Sequence, residues 1–146
     1  MAETARAALD DDPRNTRALI GVAVLYGRLG LSAESRHDLA LAVARFRKEL
    51  ELRLRLIAAT GTLPARTSEI GWARLRLAEA LVTRADAGRG NREREAWLAE
   101  ARQLVAAVRR TDGKVSVPAG SEPEFLEVHD RLRARLLGGS ASAAPH

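Results

Sequence analysis

Apolar residues recur every three or four positions along most of the chain, and glycine, proline and short polar runs interrupt this pattern at intervals. The spacing predicts α-helices, and the one short alternating run is too brief to predict a stable β-sheet. The predicted helices cover approximately residues 2–9, 16–30, 38–59, 67–85, 92–110 and 121–137. We therefore expect an all-α fold of about six helices.

Capping and turn residues set the predicted ends of these helices. Asn15 or Thr16 offers a side-chain oxygen that caps the second helix, and Asn91 offers one for the fifth. Gly30 suits the left-handed residue that often follows the last turn of a helix. We therefore expect the second helix to close at Gly30, with a polar link from Leu31 to His37.

The helix predicted over 38–59 is apolar on two sides. One stripe contains Leu39, Val43, Phe46, Leu50, Leu54 and Ile57, and a second contains Leu41, Leu52 and Leu56. Two stripes predict two packing neighbours, so this helix should lie between others. Glu49–Arg53 and Glu51–Arg55 have the i, i+4 spacing of stabilising ion pairs, which predicts a solvated helix edge.

The last helix has the clearest start signal in the sequence. Ser121 and Glu124 form a capping box, and Pro123 falls in the first turn. The apolar residues of this helix form a single stripe of Phe125, Val128 or His129, Leu132 and Leu136. One stripe predicts a terminal helix that covers an open end of the fold, and residues 138–146 are expected to form a flexible tail.

A weak internal repeat links the two halves of the chain, because Ile20-Gly21-Val22-Ala23 recurs as Ile70-Gly71-Trp72-Ala73. The first unit resembles a tetratricopeptide repeat (TPR), a pair of antiparallel helices that stacks on its neighbours. The positions that carry the resemblance are Tyr26, Gly30, Ala42, Phe46 and the Asp12-Pro13-Arg14-Asn15 junction. Small residues would let paired helices approach closely, and the aromatic residues would fill the space between hairpins. The second unit is more degenerate.

The resemblance implies a TPR-like stack of helical hairpins, of the kind found in large bacterial multidomain signalling proteins. It divides a single domain, 1–137, into a partial repeat (2–12), two repeats (15–60 and 67–110) and a capping helix (121–137). Because the chain opens on half a repeat, it would belong to a longer stack or pair with another chain. A plain antiparallel helical bundle is the alternative fold, since it shares most of this periodicity.

A TPR-like stack offers a concave face, lined by the first helix of each hairpin, to a protein partner. The candidate residues on that face are Arg17, Ile20, Val24, Arg28, Trp72, Leu75, Arg76 and Glu79. Trp72 beside an arginine is typical of a binding hot spot, although a tryptophan at this spacing is equally typical of a core. We expect a cytoplasmic scaffold or adaptor that binds a protein partner or a second copy of itself. A purely structural assembly module without a ligand is a further alternative.

Composition argues against catalysis. The chain of 146 residues has no cysteine, which excludes thiolate chemistry and disulfides. It has three histidines, and 3% of its residues are aromatic. The histidines show no metal-ligand spacing, and no phosphate-binding glycine motif occurs. We expect neither an enzyme nor a bound metal or cofactor, and the longest apolar run is too short to cross a membrane.

Charge supports one rival function. The formal net charge is +5, and nearly all the basic residues are arginines. A basic helical bundle could bind nucleic acid through Arg84, Arg89, Arg92, Arg94, Arg109 and Arg110, with Arg131, Arg133 and Arg135 further along. Such binding requires the arginines to converge on one face. Glu93, Glu95 and Glu100 lie among them, and no aromatic residue accompanies the loop for base stacking.

Overall fold

The computed structural model describes residues 15–61, 64–88, 90–113 and 122–138. Every regular element in these ranges is a helix, which confirms the all-α prediction. The elements are α1 (Thr16–Ser35), α2 (Leu39–Thr60), α3 (Pro64–Ala87), α4 (Arg94–Ala107), a 3₁₀-helix (Arg110–Gly113) and α5 (Glu122–Leu136). The predictions for a helix over 2–9 within the partial repeat 2–12, for Ser121 as a cap and for a tail beyond 138 lie outside the described residues.

The helices pack as hairpin-like pairs. The most extensive packing joins α1 to α2, followed by α3 to α4 and α2 to α3. Helix α2 therefore lies between α1 and α3, as its two apolar stripes predict, and Leu54 is the exception because its side chain is exposed. Helix α5 rests against α3, α4 and the 3₁₀-helix.

The two sides of α2 belong to two separate apolar clusters. The smaller cluster joins α1 to α2 and contains Leu19, Val22, Ala23, Tyr26, Leu52 and Leu56. The larger cluster extends from Ala33 near the end of α1 through α2, α3 and α4 to α5, and Phe46, Leu77, Trp97 and Phe125 are among its members. Tyr26 and Phe46 are both buried, so the two aromatic residues of the first hairpin face the interior.

Helix α1 ends later than the sequence indicates. The prediction that Gly30 closes this helix is wrong, because α1 continues to Ser35 and residues 31–35 are helical. Gly30 instead lies against the ring of Phe46 on α2, where a Cβ would come 2.5 Å from Cε1. The glycine therefore allows close helix packing, and the left-handed residue of the link is His37, with φ of 60°.

The other helix ends also differ in part from the predictions. Asn15 caps α1 as predicted, since its Oδ1 accepts a hydrogen bond from the amide of Ala18 at 3.1 Å. Helix α3 begins earlier, at Pro64, where proline costs no intrahelical hydrogen bond. Asn91 is not the N-cap of α4, which is Glu93, and its side chain instead accepts from the Glu93 amide at 2.7 Å.

The two copies of the internal repeat lie in different surroundings. Ile20 on α1 is 39% exposed, whereas Ile70 on α3 is 4% exposed. Gly21 is exposed as well, while a Cβ at Gly71 would meet the ring of Phe125 on α5 at 3.0 Å. At Gly71 the difference arises because Phe125 of α5 packs on α3 there. The outer face of α1 has no comparable cover among the described residues.

Candidate functional site

A cleft of about 510 Å³ runs between α1, α3 and α5. We use "the cleft" for the space lined by Leu31, Glu34, Arg53, Glu69, Trp72, Leu75, Arg76, Glu79, Glu124 and Val128. Helix α3 supplies half of these residues, α1 and α5 supply two each, and α2 supplies Arg53. The cleft exists because α1 packs mainly along α2, which leaves space between α1 and α3.

The cleft gathers half of the predicted partner-binding residues. Trp72, Leu75, Arg76 and Glu79 all line it. The other four, Arg17, Ile20, Val24 and Arg28, are exposed on α1 but do not line the cleft. They form an open surface on α1 that Leu31 extends toward the cleft at the next helical turn.

Trp72 belongs to both the cleft and the core. Its side chain is half-buried and packs on Phe125 of α5 in an edge-to-face arrangement, with ring centroids 5.2 Å apart. Such a pair fixes the ring geometry. Part of the Trp72 side chain therefore packs in the core against Phe125, and another part faces the cleft. The core and the binding-site interpretations of this residue both apply.

A buried carboxylate lies behind the cleft. Glu49 of α2 is 1% exposed, and it accepts hydrogen bonds from Arg53 Nε at 3.0 Å and from an Arg76 amino group at 2.7 Å. Arg53 also bonds Glu69 at 2.9 Å. Gly27 of α1 makes room, since a Cβ there would lie 2.9 Å from Oε2 of Glu49. The prediction of a solvated helix edge at Glu49–Arg53 is therefore wrong.

The reason for this error is the position of α2 between two helices. Glu49 and Arg53 have the i, i+4 spacing of a surface ion pair. This spacing is the same on a solvent-exposed side of α2 and on a side that another helix covers. Gly27 and Arg76 come from helices on either side, so their convergence on Glu49 is a property of the tertiary fold. A buried charge of this kind requires partners on the adjoining elements.

Glu34 is a second acidic residue that the sequence pattern does not single out. It follows Gly30 in the segment that the sequence predicts to be a link, but helix α1 carries it to the edge of the cleft. Burial raises the pKa of the Glu34 carboxyl above its ordinary value, and the negative charge of Glu79 raises it further. Helix α1 thus places a partly desolvated acid close to the acid of α3.

Three of the six arginines proposed for nucleic acid make contacts within the chain. Arg84 lies over the Trp97 ring at 4.1 Å, and Arg94 bonds the carbonyl of Ala85 at 3.2 Å. Arg110 pairs with Asp130 and lowers the pKa of that carboxyl. Arg92 and Arg109 are exposed, and Arg89 lies outside the described residues.

These arginines also fall into two groups. Arg92 and Arg94 lie at the start of α4, whereas Arg109 and Arg110 follow its last residue. A helix of 14 residues separates them by about 20 Å along its axis. The arginines of α5 make further internal contacts, because Arg131 bonds Glu79 and Arg135 bonds Asp86. The described residues therefore do not bring the predicted arginines onto one continuous face.

A second groove lies on the opposite side of α3, between α2 and α4. We call it the α2–α4 groove, and it is lined by Arg47, Leu50, Glu51, Leu54, Arg55, Ala58, Leu77, Glu100 and Leu104. Arg47 and Glu100 bridge it, with 2.5 Å between nitrogen and oxygen. Leu54 is 41% exposed there, which makes it a useful counterpart to Leu31, 50% exposed at the cleft.

The two histidines of the described part lie on different elements. His37 is exposed in the link between α1 and α2, and His129 is buried on α5 with its ring stacked on Phe125. Within residues 15–61, 64–88, 90–113 and 122–138, no three metal-ligating side chains come together. None of the helices described is both long and apolar enough to cross a membrane.

Comparisons with known proteins add no relatives to this picture. No protein-family model matches the sequence, and neither the curated proteins nor the solved structures include a match.

Proposed function

We propose that the chain is a protein–protein interaction module, a TPR-like stack of helical hairpins that acts as a scaffold or adaptor without catalytic activity. Its partner would dock in the cleft. The observation that carries the proposal is that Trp72, Leu75, Arg76 and Glu79 line one cleft together with the exposed Leu31. These residues combine apolar, aromatic and charged groups, as binding surfaces commonly do.

The open shape of the cleft supports a macromolecular partner in preference to an enclosed small ligand. The cleft has a volume of about 510 Å³, and residues of α1, α3 and α5 form its open walls. Its walls come from α1, α3 and α5, which alternate along the chain with α2 and α4. In a stack of hairpins, this alternation places the first helix of each pair on one concave side.

The basic-bundle alternative has less support. Nucleic-acid binding depends on guanidinium groups that are free to contact phosphates. Arg84, Arg94 and Arg110 are each engaged within the chain, and the two arginine groups lie at opposite ends of α4. Titration with single-stranded and duplex oligonucleotides at two salt concentrations tests this alternative, because specific phosphate contacts weaken steeply with salt.

Affinity capture from the native host, with matched surface variants, tests the proposed function. Leu31→Gln removes an exposed apolar side chain from the cleft, and Leu54→Gln removes one of similar exposure from the α2–α4 groove. We expect a captured protein to be lost or reduced several-fold with Leu31→Gln and retained with Leu54→Gln. Capture that is equal for wild type and Leu31→Gln, or lost only with Leu54→Gln, would argue against the cleft.

A further inference from the structure

Four carboxylates and two guanidiniums line the cleft within the described part of the chain. The carboxylates belong to Glu34, Glu69, Glu79 and Glu124, and the guanidiniums to Arg53 and Arg76. Both guanidiniums bond a further carboxylate, that of the buried Glu49. The cleft is therefore acidic, although the chain as a whole carries a net charge of +5.

The acidic residues differ in how far they are neutralised. Glu69 bonds Arg53, and Glu79 bonds Arg131 of α5. Glu34 makes neither an ion pair nor a hydrogen bond through its carboxylate among the described residues, and Glu124 is exposed at the start of α5. Burial and the charge of Glu79 both raise the pKa of Glu34, so its ionised form lacks compensation in the free protein.

Apolar surface lies beside these carboxylates. Leu31 is half-exposed, and Trp72 and Val128 are partly buried along the same walls. A tryptophan ring also attracts a cation placed over its face. The lining thus complements a side chain with an apolar stem and a positive end, which describes lysine and arginine.

We propose that the cleft binds a basic amphipathic segment of a partner protein, in which arginine or lysine side chains alternate with apolar ones. This inference rests on the proposed function and specifies the chemistry of the partner. A guest ammonium or guanidinium group would pair with Glu34 and Glu79, and apolar guest side chains would cover Leu31 and Val128. Phosphate groups and acidic peptides would meet repulsion from the same carboxylates.

Charge complementarity favours this occupant over an acidic one, and the test separates it from a second copy of the chain. The probe is a phage-displayed library of random short peptides, selected on the full chain, with single binders then synthesised carrying a fluorescent label. Binding is measured by fluorescence anisotropy. Light scattering at several protein concentrations shows whether the free chain associates with itself, and concentration-dependent self-association that the peptides reverse would identify a second copy as the occupant and overturn the inference.

We expect selected peptides to be enriched in arginine and lysine beside apolar residues. Their affinity should fall by about tenfold in the double variant Glu34→Gln/Glu79→Gln, because two compensating charges are lost. The matched control Glu51→Gln/Glu95→Gln removes two exposed carboxylates outside the cleft and should leave the affinity unchanged. Higher salt should weaken binding to the wild type more than to the Glu34→Gln/Glu79→Gln variant.

The outcomes separate this inference from the proposed function. Selection of acidic peptides, or of basic peptides whose affinity is the same in both double variants, would overturn the inference. The adaptor function would stand in that case if host-protein capture still depends on Leu31. If no peptide binds and capture is indifferent to Leu31→Gln, both proposals are wrong.

Discussion

Glu49 is a residue on which three helices converge. Its carboxylate accepts hydrogen bonds from Arg53 on its own helix and from Arg76 on α3, and it lies against Gly27 of α1. A carboxylate that is 1% exposed is stable only with such partners, since desolvation of an isolated charge is costly. The contacts of Glu49 therefore hold α1, α2 and α3 in the arrangement that leaves the cleft open.

Replacing Glu49 by glutamine should reveal this role. The change keeps the shape of the side chain but removes the buried charge that Arg53 and Arg76 share, which leaves Arg53 with Glu69 alone. We expect the free energy of unfolding to fall by about 3 kcal/mol. Urea titration followed by circular dichroism measures the change.

Glu51→Gln is the matched control on the same helix. Glu51 is exposed and pairs with Lys48, with 2.9 Å between nitrogen and oxygen. Exposed pairs of this kind contribute about 0.5 kcal/mol or less. Equal urea midpoints for Glu49→Gln and Glu51→Gln would show that Glu49 has no special structural role.

Pairs of helices are held together by contacts that only small residues permit. Gly30 on α1 and Phe46 on α2 form the tightest of the glycine contacts described, and Phe46 is fully buried. Its ring cannot swing aside into solvent to admit a methyl group. Helix α1 therefore packs closely on α2 and mainly on α2, which leaves the side toward α3 free to form the cleft.

Gly30→Ala should destabilise the protein even though alanine is the better helix former. A gain of about 0.5–1 kcal/mol in helix propensity opposes an overpacking cost of about 1–3 kcal/mol. We therefore expect thermal denaturation to show a lower melting temperature for Gly30→Ala than for the wild type. Gly21→Ala, on the exposed side of the same helix, should instead raise the melting temperature. A stabilising effect of Gly30→Ala would contradict the close approach of α1 to α2.

Glu34 of α1, which lies near Glu79 of α3, should make the stability of the protein depend on pH. The pKa of Glu34 in the folded protein lies above the ordinary value of 4.5, so the folded state binds more protons between the two values. The contribution of Glu34 to stability is thus complete below pH 4.5 and is lost as pH rises through the folded pKa. Glu34→Gln should be more stable than the wild type at neutral pH.

Urea unfolding at two pH values checks this sign. The difference in the free energy of unfolding between the wild type and Glu34→Gln should shrink at a pH below 4.5, where Glu34 is protonated in both the folded and the unfolded state. Glu127→Gln, an exposed change on α5, should match the wild type at both pH values. A Glu34→Gln variant that is less stable at neutral pH would mean that Glu34 has a cationic partner.

Over the molecule, periodicity was sufficient to predict the helical class and the position of α2 between neighbours. The prediction failed at Gly30, because a glycine that ends a helix and one that admits a packed ring look alike in sequence. It identified Trp72 and Arg76 at the cleft but missed Leu31, Glu34 and Glu49. Those residues acquire their roles from helices that are distant in sequence, and local spacing carries no record of that proximity.

Site-specific photo-crosslinking compares the three candidate surfaces in one experiment. A photoreactive amino acid is placed singly at position 31 in the cleft, 54 in the α2–α4 groove and 92 beside the arginine loop, each of them exposed. After irradiation in host cells, we expect a protein adduct from position 31 and none from positions 54 and 92. Protein adducts confined to position 54, or nucleic-acid adducts from position 92, would contradict a cleft that serves as the docking surface.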